Sequence, residues 1–206
     1  MGEADKEYAV AFAIPLDTEG VKLLMSGYGS YTQRNSFDHP VSSSVKMTET
    51  ITVFEDVFIP NDRIFLKGEW QYAGPLALSF VEYHRLTAIS YKLPFLDLLA
   101  GAGRLMAEYN GIEKAAHVKE KLFWLASYAE TTRALTQMAC MRARKTDFDM
   151  VIPDPATVNI AKHHFAADFH QALSYVQDLA GGIIVTGPAV EDLQSEETGP
   201  LIEKYL

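Results

Sequence analysis

Histidines, a single cysteine and a pair of adjacent glycines are the residues of this sequence with the clearest potential for chemistry. His163, His164 and His170 are close enough in sequence to suggest a metal site. Adjacent histidines on a helix point about 100° apart, however, and the His-Glu-x-x-His spacing of helical zinc sites does not occur among them. We therefore expect these histidines to lie on a helix surface or at an interface, with no metal bound.

Cys140 is the only cysteine, which excludes an intramolecular disulfide and any site built from several thiolates of this chain. It lies beside Met138, Ala139 and Met141 in a stretch with helical spacing. Because a free cysteine in such surroundings behaves as a small hydrophobic residue, we expect Cys140 to be buried and to bind no iron.

Gly181 and Gly182 follow a stretch with helical periodicity. Two glycines after a helix allow the backbone to turn sharply and to approach a cofactor closely. The same pair is also typical of a plain helix C-cap. The pair is no dinucleotide-binding fingerprint, because a third glycine and a strand–turn–helix context are missing.

Composition excludes several classes of protein. Hydrophobic residues make up 48% of the chain and charged residues 22%, which is ordinary for a globular protein. The net charge of −9 argues against a nucleic-acid partner, which requires a basic face. No apolar run reaches the roughly 18 residues of a membrane helix, and residues 1–10 lack an apolar signal core. We predict a cytoplasmic protein with neither a membrane nor a nucleic acid as partner.

The elements that would position these residues fall into two halves. Residues 8–66 follow a β pattern, with predicted strands over 8–14, 21–25 and 50–54 and a long loop over 26–46. Three or four strands leave open edges and an uncovered apolar face. We therefore expect this half to be only the end of a β-domain.

The second half follows a helical pattern from residue 72 onward. Pro94 predicts a kink or a break near Lys92, and Asn110-Gly111 predicts the end of a helix. Apolar residues at spacings of three and four then predict helices over 113–145 and 156–179, and a short helix within 191–206. Helices of this length with a continuous apolar stripe are typical of a bundle.

Four segments carry a resemblance to a known family: residues 3–10, 53–66, 83–85 and 178–188. Together they resemble the family of 4-hydroxybutyryl-CoA dehydratase (vinylacetyl-CoA isomerase) and 4-hydroxyphenylacetate 3-hydroxylase. The resemblance covers nearly the whole chain but only the second half of the family. Segment 53–66 is also similar, more loosely, to acyl-CoA dehydrogenases, whereas the first and last segments favour the dehydratase branch.

The resemblance implies the fold of the acyl-CoA dehydrogenases, in which FAD lies between a β-domain and a C-terminal helical bundle and is shared across subunits. This chain would be α+β, with the end of the β-domain at 1–70 and the bundle at 71–206. The N-terminal half would lie on another chain or be missing. The resemblance also implies a homo-oligomer, a tetramer whose bundles pack together.

Three catalytic candidates follow from the resemblance. Glu49 matches a glutamate near the reacting carbon, where a carboxylate in an apolar flavin pocket can act as a base; taken alone, it is typical of an acid at a strand end. His84 matches a ligand of an iron–sulfur cluster, or is simply hydrogen-bonded inside the bundle. Lys92 matches an active-site lysine whose cation would suit a thioester oxygen or an anionic flavin, or its ammonium lies in water. Gly181 and Gly182 match a segment that touches the dinucleotide end of the flavin.

Two positions depart from the dehydratase pattern. Tyr91 stands where the dehydratases have a cluster cysteine, and Ala88 stands where they have a tyrosine near the substrate. Because iron–sulfur clusters are held mainly by thiolates, Tyr91 argues against a cluster. The two departures favour isomerisation or simpler flavin chemistry over a radical dehydration.

The sequence thus predicts an FAD-dependent enzyme that acts on a CoA thioester or a small organic acid by proton abstraction with flavin assistance. Two alternatives stay open: a component of a flavin-dependent phenol monooxygenase, and a non-catalytic paralogue that only assembles.

Overall fold

The structure is a computed structural model that describes residues 2–25, 35–45 and 49–206. Two compact units form, one from Met1–Ala73 with Thr186–Leu206 and one from Gly74–Val185. The division of the sequence into domains at 1–70 and 71–206 stays a prediction. No helix in the described ranges is both long enough and apolar enough to cross a membrane.

The first unit contains two separate antiparallel strand pairs. β1 (Val10–Phe12) pairs with β4 (Ile64–Lys67), and β2 (Val21–Met25) pairs with β3 (Thr50–Phe54). The predicted strands over 21–25 and 50–54 are therefore confirmed. Two-stranded sheets are marginal by themselves, and the expectation of an incomplete β-domain stays a prediction.

The predicted strand over 8–14 is too long at both ends. A 3₁₀ helix, Glu3–Tyr8, precedes β1. The Gly2 N–H donates to the Asp5 carboxylate at 2.9 Å, and the Asp5 N–H donates back to the Gly2 carbonyl at 2.9 Å. These local hydrogen bonds satisfy backbone groups that a longer strand would leave unpaired at its edge.

The predicted long loop over 26–46 is described only at residues 35–45, where the chain forms successive turns; 26–34 and 46 lie outside the described residues. The Asn35 side-chain oxygen accepts hydrogen bonds from the N–H groups of Phe37 and Asp38. The Asp38 carboxylate in turn accepts the Val190 N–H at 3.1 Å. Two short helices, α6 (Val190–Gln194) and α7 (Gly199–Tyr205), end the chain, so the predicted helix within 191–206 is confirmed in two parts.

Four long helices build the second unit: α1 (Ala73–Ser90), α2 (Leu93–Tyr109), α3 (Ala116–Met141) and α4 (Pro155–Ala180). A hairpin of two short strands, β5 (Arg144–Lys145) and β6 (Val151–Ile152), connects α3 to α4. A short helix, α5 (Ile183–Thr186), follows α4. The break near Lys92 is confirmed, because Pro94 lies in the first turn of α2, where its missing N–H costs nothing. The stop at Asn110-Gly111 is confirmed too, with Gly111 at φ 66°.

The helix predicted over 113–145 is too long, because α3 begins at Ala116 and ends at Met141. Arg144 and Lys145 leave the helix and pair with Ile152 and Val151 in the hairpin. This pairing replaces the helical hydrogen bonds by cross-strand ones, a choice that helical periodicity cannot reveal.

The core of the second unit lies where α2, α3 and α4 meet. Its largest members are Leu96, Leu99, Leu125, Tyr128, Phe165 and Leu179. A smaller cluster attaches the end of α1 through Ile89, Ala139, Val158 and Ala161. The prediction that Cys140 is buried is wrong: the residue is exposed. Successive helical residues turn by about 100°, so the burial of Ala139 directs its neighbour Cys140 away from the core.

Candidate functional site

The residues around His84 fix α1 against the rest of its unit. The Tyr83 hydroxyl donates to the Val151 carbonyl at 2.8 Å, and the Arg85 guanidinium donates to the Asn159 side chain. His84 lies on a different side of the helix and is exposed. Its ring stacks on that of Phe80 with centroids 5.4 Å apart and planes at 13°. His84 is therefore not hydrogen-bonded inside the bundle, and its part in a site stays a prediction.

Lys92 lies at the junction of α1 and α2, with its side chain half-buried. Its ammonium lies 4.7 Å from the centroid of the Phe165 ring in α4 and 5.8 Å from that of the Tyr91 ring. An ammonium at this distance is attracted to the negative face of an aromatic ring. The ammonium of Lys92 therefore has aromatic neighbours, and its part in a site stays a prediction.

Phe165 is itself held in an aromatic row. Its ring lies 6.3 Å from that of Tyr128 and 5.1 Å from that of Phe169, which in turn lies 6.1 Å from Phe95. The Tyr128 hydroxyl donates to the Phe165 carbonyl at 2.6 Å. Burial raises the pKa of the Tyr128 hydroxyl, and the negative charge of Asp168 adds to this effect, so the phenol stays a neutral donor. The ring under Lys92 is therefore fixed from both sides.

Some other cations of the bundle have carboxylate partners. Arg133 pairs with Asp97 at 2.6 Å and with Glu130 at 3.2 Å, and Lys121 pairs with Asp178. The hydrogen bond from Lys121 is the main cause that lowers the pKa of Asp178. Within the described ranges, no ion pair involves Lys92. Lys92 is therefore a half-buried cation that rings hold and that no described carboxylate neutralises.

Gly181 and Gly182 form the turn that ends α4. Gly181 has φ 65° and ψ −145°, a conformation that essentially only glycine adopts readily, and its N–H donates to the Gln177 carbonyl at 3.0 Å. A Cβ built on either glycine would meet no atom within 4 Å. The turn thus requires glycine at 181 for its backbone angles, whereas the backbone beside both residues borders open space.

Lys92 and the Gly181-Gly182 turn, which the sequence predicts to belong to one site, lie far apart in the structure. Phe165 and Gly181 are sixteen residues apart on and just beyond α4, which corresponds to about 24 Å along the helix axis. Lys92 and the glycine turn therefore cannot contact the same atom of a ligand. Glu49 lies in the first unit, exposed, directly before β3, so its place beside the other candidates stays a prediction.

The three histidines of α4 differ in their surroundings. His163 and His170 are exposed. The Nδ1 of His164 lies 3.4 Å from the Asp168 carboxylate, and its ring meets the edge of Tyr128 at 5.2 Å. In the part of the chain that the structure describes, no three His, Cys, Asp or Glu side chains are grouped so that they could hold a metal ion.

Sequence reasoning missed Phe165 and the ring of Tyr91 as neighbours of the Lys92 ammonium. The spacing of Phe165 and Phe169, four residues apart, indicates a shared helix face but not the element that this face meets. Tyr91 was noted only for the cysteine that it replaces.

The bundle and the paired strands define a chain of the α+β class, and comparison with known proteins gives its family. A family profile described as 4-hydroxyphenylacetate 3-hydroxylase C terminal matches residues 73–206, and one described as 4-hydroxyphenylacetate 3-hydroxylase N terminal matches residues 1–66. The chain belongs to the 4-hydroxyphenylacetate 3-hydroxylase family.

Two curated relatives show both branches of this family. The 4-hydroxybutyryl-CoA dehydratase/vinylacetyl-CoA-Δ-isomerase of Clostridium aminobutyricum is 34% identical over 199 residues, covering 95% of this chain and 41% of the relative. The oxygenase component of 4-hydroxyphenylacetate 3-monooxygenase from Thermus thermophilus is 28% identical, covering 98% of this chain and 42% of the relative. The chain thus spans about two fifths of the length of these relatives.

Solved structures agree with this result. An archaeal 4-hydroxybutyryl-CoA dehydratase from N. maritimus matches with a TM-score of 0.90 at 30% identity, over 100% of this chain and 41% of that one. The oxygenase component of 4-hydroxyphenylacetate 3-monooxygenase, complexed with FAD, matches with a TM-score of 0.87 at 25% identity, over 100% and 44%. The predicted family and the predicted α+β fold with a helical bundle are confirmed.

Proposed function

We propose that this chain is part of an FAD-dependent enzyme that acts on a CoA thioester by abstracting a proton next to the carbonyl. Membership in a family with a member solved in complex with FAD supports the cofactor. The greater identity to the dehydratase/isomerase than to the oxygenase components supports a CoA thioester as substrate.

The glycine turn fits the cofactor. Gly181 and Gly182 border open space on the side where a Cβ would project, so an extended dinucleotide could lie directly against the backbone. The exposed apolar residues that follow, Ile183, Ile184 and Val185, suit the same role. FAD, when bound, would supply an acceptor for a hydride or for single electrons.

The observation that carries the proposal is the state of Lys92. Lys92 is half-buried, and its ammonium lies 4.7 Å from the centroid of the Phe165 ring, without a carboxylate partner among the described residues. A fixed cation in such surroundings stabilises negative charge that develops on a nearby oxygen far better than a solvated one does. Lys92 would thus donate to the thioester oxygen. Glu49 stays the proposed base for the proton next to the carbonyl, on the resemblance alone.

His84 remains a candidate for contact with the substrate rather than with iron, since its ring is exposed and stacked on Phe80. Tyr91, in the position of the cluster cysteine, supplies no thiolate ligand. We therefore propose isomerisation in preference to a radical dehydration. It requires a base that takes the proton from the carbon next to the carbonyl, a stabilised enolate, and return of a proton to the γ-carbon.

A phenol monooxygenase component is the second candidate. Two positions favour it, Tyr91 and Ala88, because they depart from the dehydratase pattern that resemblance to that branch would require. In this alternative Lys92 would bind a phenolate oxygen instead of an enolate.

The proposal is tested with the chain purified from its native cells, together with any partner chain that copurifies with it, after incubation with FAD and removal of the excess. We expect flavin absorbance to stay with the protein and vinylacetyl-CoA to be isomerised. Lys92→Met should lower kcat/KM by about 10²–10³-fold, the usual cost of losing one oxyanion donor. Lys119→Met is the matched control, because Lys119 is an exposed lysine of α3, and it should leave the rate unchanged.

Each alternative has its own outcome in this assay. Retained flavin without isomerisation, together with hydroxylation of a phenol when reduced FAD and oxygen are supplied, would replace the first proposal by the second. A folded protein that takes up no FAD would refute both and leave the non-catalytic paralogue.

A further inference from the structure

Lys92 lies between two aromatic rings that come from different parts of the chain. Phe165 is a buried residue in the middle of α4, and Tyr91 is the exposed residue that directly precedes Lys92. The ammonium lies 4.7 Å from one ring centroid and 5.8 Å from the other. Both distances are within the roughly 6 Å over which a ring attracts a cation.

We propose that Phe165 and Tyr91 are positioning residues that hold the Lys92 ammonium in place through its charge. This inference deepens the proposed function and rests on it for the role of Lys92 in the site. It also gives Tyr91 a role of its own. The residue that occupies the position of a thiolate ligand would attract the Lys92 ammonium through its ring.

Aromatic rings suit this task better than a carboxylate. A carboxylate would hold the ammonium by accepting its hydrogen bonds and would neutralise its charge, as Asp178 does for Lys121. A ring face attracts the ammonium but accepts no strong hydrogen bond from it. The three N–H donors of Lys92 therefore stay available for an oxygen of a ligand, with the positive charge intact.

The rigidity of the ring under Lys92 is built into the core. Phe165 contacts Tyr128 and Phe169 on its two sides, and its backbone carbonyl accepts the Tyr128 hydroxyl. A side chain packed in this way has little rotamer freedom left. The position of the ammonium is thus set by the packing of α3 and α4 rather than by the lysine itself.

The experiment measures the reactivity of Lys92 directly. The folded protein is treated briefly with N-succinimidyl acetate, and acetylation of Lys92 is quantified by peptide mass spectrometry relative to Lys119 in the same sample. Rings that lie close to the ammonium hinder the approach of the reagent and slow this reaction. We expect Tyr91→Leu and Phe165→Leu each to increase the relative acetylation of Lys92 about two- to fivefold, which corresponds to a cation–π contact of about 0.5–1 kcal/mol.

Two matched variants separate charge–ring attraction from general loosening. Tyr91→Phe keeps the ring and should restore the reactivity of the wild type. Tyr175→Leu removes a half-buried ring of the same helix that packs edge-on against Trp124, and it should leave the reactivity of Lys92 unchanged. Because Tyr91 is exposed, its variants keep the test valid even if Phe165→Leu does not fold.

The inference would be overturned if Tyr91→Leu and Phe165→Leu both left the relative acetylation of Lys92 unchanged. An equal increase in Tyr175→Leu would overturn it too, because general loosening of α4 would then explain the effect. The acetylation measurement contains no flavin and no substrate. A failure of the protein to bind FAD would therefore refute the proposed function but would not change the acetylation result for Lys92.

Discussion

Replacing each glycine of the Gly181-Gly182 turn by alanine separates its structural task from its proposed contact with FAD. The two residues are adjacent and both border open space, but only Gly181 has a positive φ. An added methyl group therefore strains the backbone at 181 and meets no steric obstacle within the chain at 182. The two variants are controls for each other, because each one adds a single methyl group to a glycine.

The structure sets the expected size of each effect. At φ 65° and ψ −145°, alanine at position 181 should cost about 1–3 kcal/mol of stability. A change of 1 kcal/mol shifts the melting temperature of a chain of this size by roughly 2–4 °C, so Gly181→Ala should lower it by about 2–12 °C. Gly182→Ala should change stability by less than about 1 kcal/mol, in either direction.

Flavin retention gives the second readout. After dialysis against FAD-free buffer, the ratio of flavin absorbance to protein absorbance is measured for wild type, Gly181→Ala and Gly182→Ala. We expect Gly182→Ala to lose flavin although its melting temperature stays near that of the wild type, because its Cβ occupies the space through which the cofactor approaches the backbone. Gly101→Ala, a change in the interior of α2 where a Cβ also meets open space, should retain flavin.

One result refutes this reasoning. If Gly182→Ala keeps its flavin as firmly as the wild type and only Gly181→Ala is destabilised, the pair is a helix C-cap and nothing more.

Three further predictions follow from exposed surface, from Cys140 and from a helix cap. Light scattering at micromolar concentration should show an oligomer, because Phe123, Met141 and Phe148 are 75%, 79% and 88% exposed in the protomer; a monodisperse 22.9 kDa species would contradict this. Cys140→Ser should leave the iron content unchanged, and loss of stoichiometric iron would show that the cysteine is a ligand. Hydrogen bonds from the Thr157 hydroxyl and N–H lower the pKa of Asp154. This carboxylate therefore stabilises the fold above the ordinary aspartate pKa of about 3.9, and the contribution is lost as the pH falls through the lowered pKa. The melting temperature of Asp154→Asn should fall less on acidification than that of the wild type, and an equal fall would refute the cap.

Local signals in the sequence were sufficient for most of the helical boundaries. Pro94 and Asn110-Gly111 marked where α1 gives way to α2 and where α2 ends, because their backbone restrictions act within one or two residues. Where a boundary depended on a distant partner, the prediction failed: Arg144 and Lys145 continue a helical pattern but pair with β6.

Whether a residue of α3 is buried depends on the direction in which its side chain points from the helix, which the composition of the surrounding stretch does not specify. Cys140 lies among apolar neighbours, and composition alone predicted that it would be buried. Ala139 faces the cluster with Val158 and Ala161, and the helical turn then leaves Cys140 exposed. The phase of a helix relative to its neighbours is set by packing, and a stretch that is apolar on several sides does not specify it.

The sequence by itself determined the family, the α+β class, and the residue types that the candidate site offers: a lysine at a helix break, a histidine on α1 and two glycines after α4. Only the tertiary structure decided what surrounds them. It placed the Phe165 ring under the Lys92 ammonium and left His84 exposed on Phe80. The reason is physical: caps, breaks and periodicity depend on contacts within a few residues, whereas the surroundings of a side chain depend on which helices meet and at what height along their axes.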